Sequence, residues 1–254
     1  AKVSLTYFDT KGDTIKTFSN KDKKSKLKVE KGSNQFVWDM TYDGAERLDG
    51  MILWWASLEG PRAIPGQYKV SLSIEDSLKS NLFEMSKPFT VLADPRAEST
   101  LADMQKQFTF IKDVNKTMDD AHKSIKKIRA VNKQLSAFQQ QYKVDENVKE
   151  LVEKAKSLEE QLSSIEKELY QTKNRSGQDP LNFPIKLTNK LGHLNSLVSM
   201  GDFPPTEQDI AVKNELSAQI KIQLDAFDTI LNAEVKAFNA AFNTKQLNYL
   251  FVED

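Results

Sequence analysis

Few side chains in this sequence could do metal or acid–base chemistry. Histidine occurs twice, as His122 and His193, and cysteine not at all, so thiol nucleophiles, disulfides and zinc ribbons are excluded together. Neither histidine stands in an HxxxH or HxH spacing that would bring two imidazoles to one metal. Asp119 precedes His122 by about one helical turn, which reads as a surface pair on a polar helix face, and His193 reads the same way. No GxSxG stretch offers a strained nucleophile elbow, which disfavours serine hydrolysis. Asp39, Asp43 and Asp49 cluster beside Trp38 and Tyr42. Two carboxylates about 5–10 Å apart across a sugar-sized cleft would be the machinery of glycoside hydrolysis. The turn chemistry of Asp43-Gly44 and Asp49-Gly50 accounts for the same residues more simply. The acids Glu153, Glu159, Glu160, Glu166 and Glu168 interleave with Lys154, Lys156 and Lys167, the pattern of a solvated helix face. The expectation is a chain without catalytic, metal or cofactor-binding residues.

Two stretches point to recognition instead. Adjacent residues of a strand face opposite ways, so only one of Trp54 and Trp55 can enter a β-sandwich core. The other must be covered by the helices, by a further domain, or by a ligand such as a sugar ring. Tyr42 or Tyr68 could complete a stacking platform with either tryptophan. The second stretch is the loop Asn174–Leu187, where Gly177 can end a helix, Pro180 prevents its continuation, Asn182 can cap the next and Pro184 fits a first turn. Arg175 and Asp179 could pair across it. The candidate ligand or interdomain surface is therefore Trp54, Trp55, Tyr42, Tyr68, Arg175 and Asp179.

The elements that must position these residues fall into two grammars. Val3–Tyr7 and Thr14–Phe18 alternate around Asp9-Thr10-Lys11-Gly12-Asp13 and predict a hairpin. Gln35–Met40, Met51–Leu58, Gln67–Ile74 and Leu82–Leu92 are four further strand candidates, so residues 1–94 predict a β-sandwich. The lysine-rich stretch Asn20–Lys31, with only Leu27 and Val29 apolar, predicts a solvated loop with a short edge strand. From Ser99 to Tyr142 apolar residues recur at helical spacing, and Val148, Leu151, Ala155, Leu158, Leu162, Ile165 and Leu169 keep an a/d seam. Helices over about Phe183–Met200 and Thr206–Asn243 complete an antiparallel bundle of about four over residues 95–254. Thr206 and Asp209 follow Pro204-Pro205 in a capping-box pattern. The boundary falls at Asp94-Pro95-Arg96, where Pro95 cannot donate to a sheet ladder.

Composition agrees with a folded, multi-domain β plus α chain. Over 254 residues, 36 Lys and Arg balance 36 Asp and Glu, which removes the basic excess of a nucleic-acid binder. No apolar run approaches the ~18–20 residues of a membrane span. Exposed stripes on long helices would also allow a homodimer through the bundle.

The stretches Gly32–Asp39, Trp55–Tyr68 and Tyr170–Leu187 together resemble the C-terminal region of large bacterial proteins. Those proteins carry an N-terminal sortilin-like, BNR/Asp-box β-propeller and are grouped with glycosyl hydrolases. The resemblance implies an immunoglobulin- or FlgD-like β-sandwich followed by a helical bundle. It also implies an extracytoplasmic setting and the propeller of the parent chain as partner. No Asp-box repeat of the SxDxGxTW type occurs in this sequence, so the resemblance transfers no hydrolytic residues to it. The expected function is a non-catalytic accessory module, with carbohydrate binding through exposed aromatics as the alternative and glycoside hydrolysis in its own right behind that.

Overall fold

The computed structural model describes residues 1–23, 25–76, 78 and 80–247. It is a β plus α chain: four strands, β1 (Lys2–Phe8), β2 (Thr14–Ser19), β3 (Gly66–Glu75) and β4 (Asn81–Val91), precede α1 (Leu101–Gln141), α2 (Lys149–Leu169), α3 (Leu187–Val198), α4 (Glu207–Thr229) and α5 (Lys236–Thr244). A π turn over Ile230–Val235 joins α4 to α5. Among the described residues no helix is long and apolar enough to cross a membrane.

The described residues gather into two compact units that interleave along the chain. The first holds Ala1–Ala45, Glu59–Asn115 and Val198–Pro205; the second holds Glu46–Leu58, Lys116–Leu197 and the chain from Thr206 on. The sequence expectation of a single break at Asp94–Arg96 differs from this division. Sheet and helices do change over there, but residues 46–58 are hydrogen-bonded to helical residues and cluster with them.

In the first unit the strands form one antiparallel sheet in the order β2-β1-β3-β4. The β1/β2 hairpin is the one expected, with Asp9 closing its turn by accepting from the N–H groups of Lys11 and Asp13. One face carries Tyr7, Ile15, Tyr68 and Ala63 as its buried core, packed by Phe18, Phe36, Trp38 and Phe89. Trp38 stacks on Tyr7 at 4.4 Å between ring centroids. The stretch Gln35–Met40 was expected as a strand and is not one. Asp39 accepts from the N–H and hydroxyl of Thr41, and Met40 sits at φ +60, so the backbone leaves extended geometry just where a ladder would need it. Aromatic packing secures this segment, with one isolated antiparallel bridge, Thr41 to Arg62, at its end. The segment Asn20–Lys31, of which Lys24 lies outside the described residues, makes only an isolated bridge at Lys26 and buries Leu27.

In the second unit the a/d seam of α2 is buried as expected, from Leu151 through Leu158 and Leu162 to Leu169. Residue pairs across α1 and α2, namely Arg129 with Glu166, Asn132 with Ser163 and Ser136 with Glu159, rise on one helix as they fall on the other. The two helices are therefore antiparallel. Gln161 with Glu234 and Asn147 with Lys245 give the same sense for α2 against the π turn and α5. The capping box at Thr206 is present with both reciprocal bonds. The loop before α3 is built differently from expectation. Helix α2 ends at Leu169, short of Gly177, and Pro180 lies inside a short 3-10 turn Asp179–Leu181. Asn182 lies too far ahead of Leu187 to cap α3.

Candidate functional site

The segment 46–58, expected in part as the strand Met51–Leu58, is an irregular strap held by polar side chains of the helices. At its start, Asp119 Oδ1 accepts from Glu46 N at 2.5 Å. His122 Nδ1 meets the Glu46 carbonyl oxygen at 2.5 Å, and Lys126 pairs with the Glu46 carboxylate. Asp119, His122 and Lys126 are spaced about one turn apart, so one helix face grips both backbone groups and the side chain of a single residue. The carbonyl can only accept, so Nδ1 carries the imidazole proton, and among the described residues buried Nε2 has no partner. Further on, Tyr170 Oη accepts from Ile52 N at 2.9 Å. Helix α3 then takes over. Asn189 accepts from Trp54 N at 2.8 Å and donates to Trp54 O at 2.9 Å, copying the bonding of a neighbouring strand. His193 Nδ1 meets Trp55 O at 2.7 Å, Gly192 O accepts from Ser57 N at 2.9 Å, and Asn195 donates to Ser57 O at 3.2 Å.

This clamp holds Trp55 in a conformation a bulky residue rarely adopts, at φ +50, with the residue 72% exposed. Trp54 is half-buried beside it, ring centroids 6.5 Å apart. Neither tryptophan lies on a strand, so the alternation argument that sent one of them into a sandwich core does not apply.

His122 is fully buried, not on a polar surface as its pairing with Asp119 suggested. Burial pushes its imidazole below the usual range, against the opposing influence of the Glu46 carbonyl, Asp119 and Glu46. The unfolded chain then binds the extra proton first, so this group stabilises the fold above its ordinary value of about 6.5, and that stability is lost as the pH falls below it. A His122→Asn variant keeps a donor near Nδ1 but does not titrate. Urea midpoints at about pH 7.5 and about pH 5.5 should fall further in the wild type than in the variant. Equal losses would show that His122 is not the acid-sensitive group.

A second feature of the helical unit is a polar cleft of about 450 Å³ lined by α1, α2, the chain that follows α2 and the strap at Asp49-Gly50. Its walls carry Arg129, Lys167 and Arg175 together with Asp49 and Glu166. Arg129 Nε donates to Glu166 at 2.8 Å, and the guanidinium lies 5.7 Å from the centre of the Tyr170 ring. Asn174, also in the wall, is buried.

The comparisons with known proteins leave the assignment to this geometry. No known protein family matches the chain, and neither a curated protein nor a solved structure matches it.

Of the six residues singled out from sequence, Tyr42 and Tyr68 belong to the first unit and Trp54, Trp55, Arg175 and Asp179 to the second. Trp54 and Trp55 belong to the strap. Tyr68 is buried in the sheet core, stacked on Phe89, and its hydroxyl donates to Ile64 O, so it has no face left for a ligand. Tyr42 is half-buried, with Phe108 edge-on at 4.8 Å. Asp179 accepts from Arg175 N at 2.5 Å and from the N–H and hydroxyl of Ser176, which holds its carboxyl below the usual carboxylate range. The Arg175 guanidinium donates instead to the carbonyls of Thr172 and Asn174, so the two residues are tied through main chain and not through an ion pair. Among the described residues no group of three or more metal-ligating side chains comes together. Sequence reasoning set His122 on a polar surface and passed over Asn189 and Asn195. Their signal was position: His122 lies between Met118 and Ile125 on the apolar stripe of α1, and Asn195 between Leu191 and Val198 on that of α3.

Proposed function

We propose that this chain is a non-catalytic accessory and interaction module, working downstream of a β-propeller in a larger extracytoplasmic protein, with Trp55 at the centre of its contact surface. Trp55 carries the reading. An exposed tryptophan in left-handed backbone is unfavourable on both counts, and a row of side chains on α3 keeps it there. So exposed a side chain adds little to folding, whereas contact surfaces are anchored by tryptophan more than by most residues. The resemblance of Trp55–Tyr68 and Tyr170–Leu187 supplies the propeller as partner and the setting outside the cytoplasm. It also underlies the reading of the first unit as immunoglobulin- or FlgD-like, with the aromatic segment 36–42 standing where a second sheet would pack.

An immunoblot of native cells and their fractions, with antibody against this chain, tests the accessory role. A band far above 28.9 kDa in an extracytoplasmic fraction supports it, and a band at 28.9 kDa overturns it. Trp55→Gly tests the contact residue. Relief of the left-handed strain should leave stability unchanged or raise it by up to about 1 kcal/mol. A clear loss of stability would make Trp55 structural.

A second reading, carbohydrate stacking, is favoured by the adjacent rings of Trp54 and Trp55. Affinity electrophoresis in polysaccharide gels would show retardation of the wild type that weakens in Trp54→Ala or Trp55→Ala. Unchanged retardation in both variants removes this reading.

A further inference from the structure

We infer that the polar cleft of the helical unit binds a small anionic carbohydrate, a sugar bearing a carboxylate or a phosphate. The cleft brings three cations, Arg129, Lys167 and Arg175, against two carboxylates, Asp49 and Glu166. Only one ion pair forms among them: Arg129 meets Glu166 through Nε at 2.8 Å, which leaves the terminal nitrogens of its fork for another acceptor. Among the described residues neither Lys167 nor Arg175 has an ion-pair partner, and both lie on the exposed rim.

Asn174 supplies the second, independent observation. It is 8% exposed, it lines the cleft, and among the described residues its side-chain oxygen has no hydrogen-bond partner. Leaving a buried amide half-satisfied costs roughly 1–3 kcal/mol. That oxygen is itself covered, so a ligand reaches it only when the wall beside it shifts. Ser163, Thr172 and Asp49 add hydroxyls and a carboxylate suited to sugar hydroxyl groups. A volume of about 450 Å³ lies within the range of small-molecule sites and accommodates a monosaccharide. A simple phosphate hole would not need Asp49 and Glu166 in its wall, since both repel an anion. A neutral-sugar site would not need two unpaired cations. An anionic sugar uses both sets.

Isothermal titration of the whole chain with D-glucuronate, D-glucose 6-phosphate, D-glucose and inorganic phosphate tests this. Saturable binding is expected for glucuronate or glucose 6-phosphate. Lys167→Gln and Arg175→Gln should each weaken it roughly tenfold, the effect of losing one charge-assisted hydrogen bond. Lys167 is exposed, so Lys167→Gln should leave the thermal midpoint unchanged; Arg175→Gln also loses the bonds to Thr172 O and Asn174 O, so its midpoint is measured beside its affinity. Trp55→Gly should leave the titration unaffected, which separates this site from the contact surface proposed above. The inference is overturned if none of the four compounds binds, if glucose binds as well as the anionic sugars, if inorganic phosphate binds as well as the sugar phosphate, or if both variants bind like the wild type.

Discussion

Gly60→Ala is expected to lower the stability of the sheet unit by about 3 kcal/mol, read from the urea midpoint. A Cβ at this position would lie 2.3 Å from Tyr42 O and 2.6 Å from Asp43 O, inside any permissible contact. Both obstacles are backbone, which moves less readily than the end of a side chain. The opposing segment is also held: Tyr42 N donates to Pro61 O at 2.9 Å, Ala63 N donates to Met40 O at 2.6 Å, and the Tyr42 ring packs on Phe108. Relief of the clash would break these bonds or displace the aromatic segment from the sheet face. The cause is close approach and not dihedral freedom, because Gly60 is not among the positive-φ glycines. Gly177→Ala is the matched control. Nothing lies within 4 Å of its would-be Cβ, so this change should be neutral or slightly stabilising. A loss below about 0.5 kcal/mol for Gly60→Ala would mean that segment 40–45 yields freely.

Asn189→Ala should destabilise the helical unit by roughly 3 kcal/mol, since it removes two hydrogen bonds and leaves the N–H and C=O of Trp54 unmatched in a partly buried place. Asn189→Asp should be at least as damaging. It keeps an acceptor for Trp54 N but turns a second carboxylate oxygen toward Trp54 O, where a donor had been. Intrinsic tryptophan fluorescence should shift in both variants, because Trp54 and Trp55 are the tryptophans the clamp positions. A change under about 1 kcal/mol, with unaltered fluorescence, would show that His193, Gly192 and Asn195 hold the strap without Asn189.

How far these features could be read in advance depends on where their causes lie. The hairpin Val3–Phe18 is written in local alternation and in the turn residue Asp9, and it forms as expected. The buried seam of α2 follows from heptad spacing, and the start of α4 from a Thr and an Asp three positions apart. These are signals within one element, where a side chain's own neighbours decide which face it presents. Met51–Leu58 misled for the opposite reason. Its apolar, aromatic content suits a strand, but among the described residues no strand pairs with it; its backbone groups are met by Tyr170, Asn189, His193 and Asn195.

By itself the sequence determined the β plus α order, the strands of the sheet and the apolar stripes of the helices, because periodicity is a local record of which side is buried. Only the tertiary structure decided the path of the strap, the burial of His122, the left-handed presentation of Trp55 and the joining of Arg129, Lys167, Arg175 and Asn174 around one cleft. The bonds that create the strap join residues 76, 118, 135 and 138 positions apart. They are made by single polar side chains to irregular backbone, which leaves no repeating pattern in either partner.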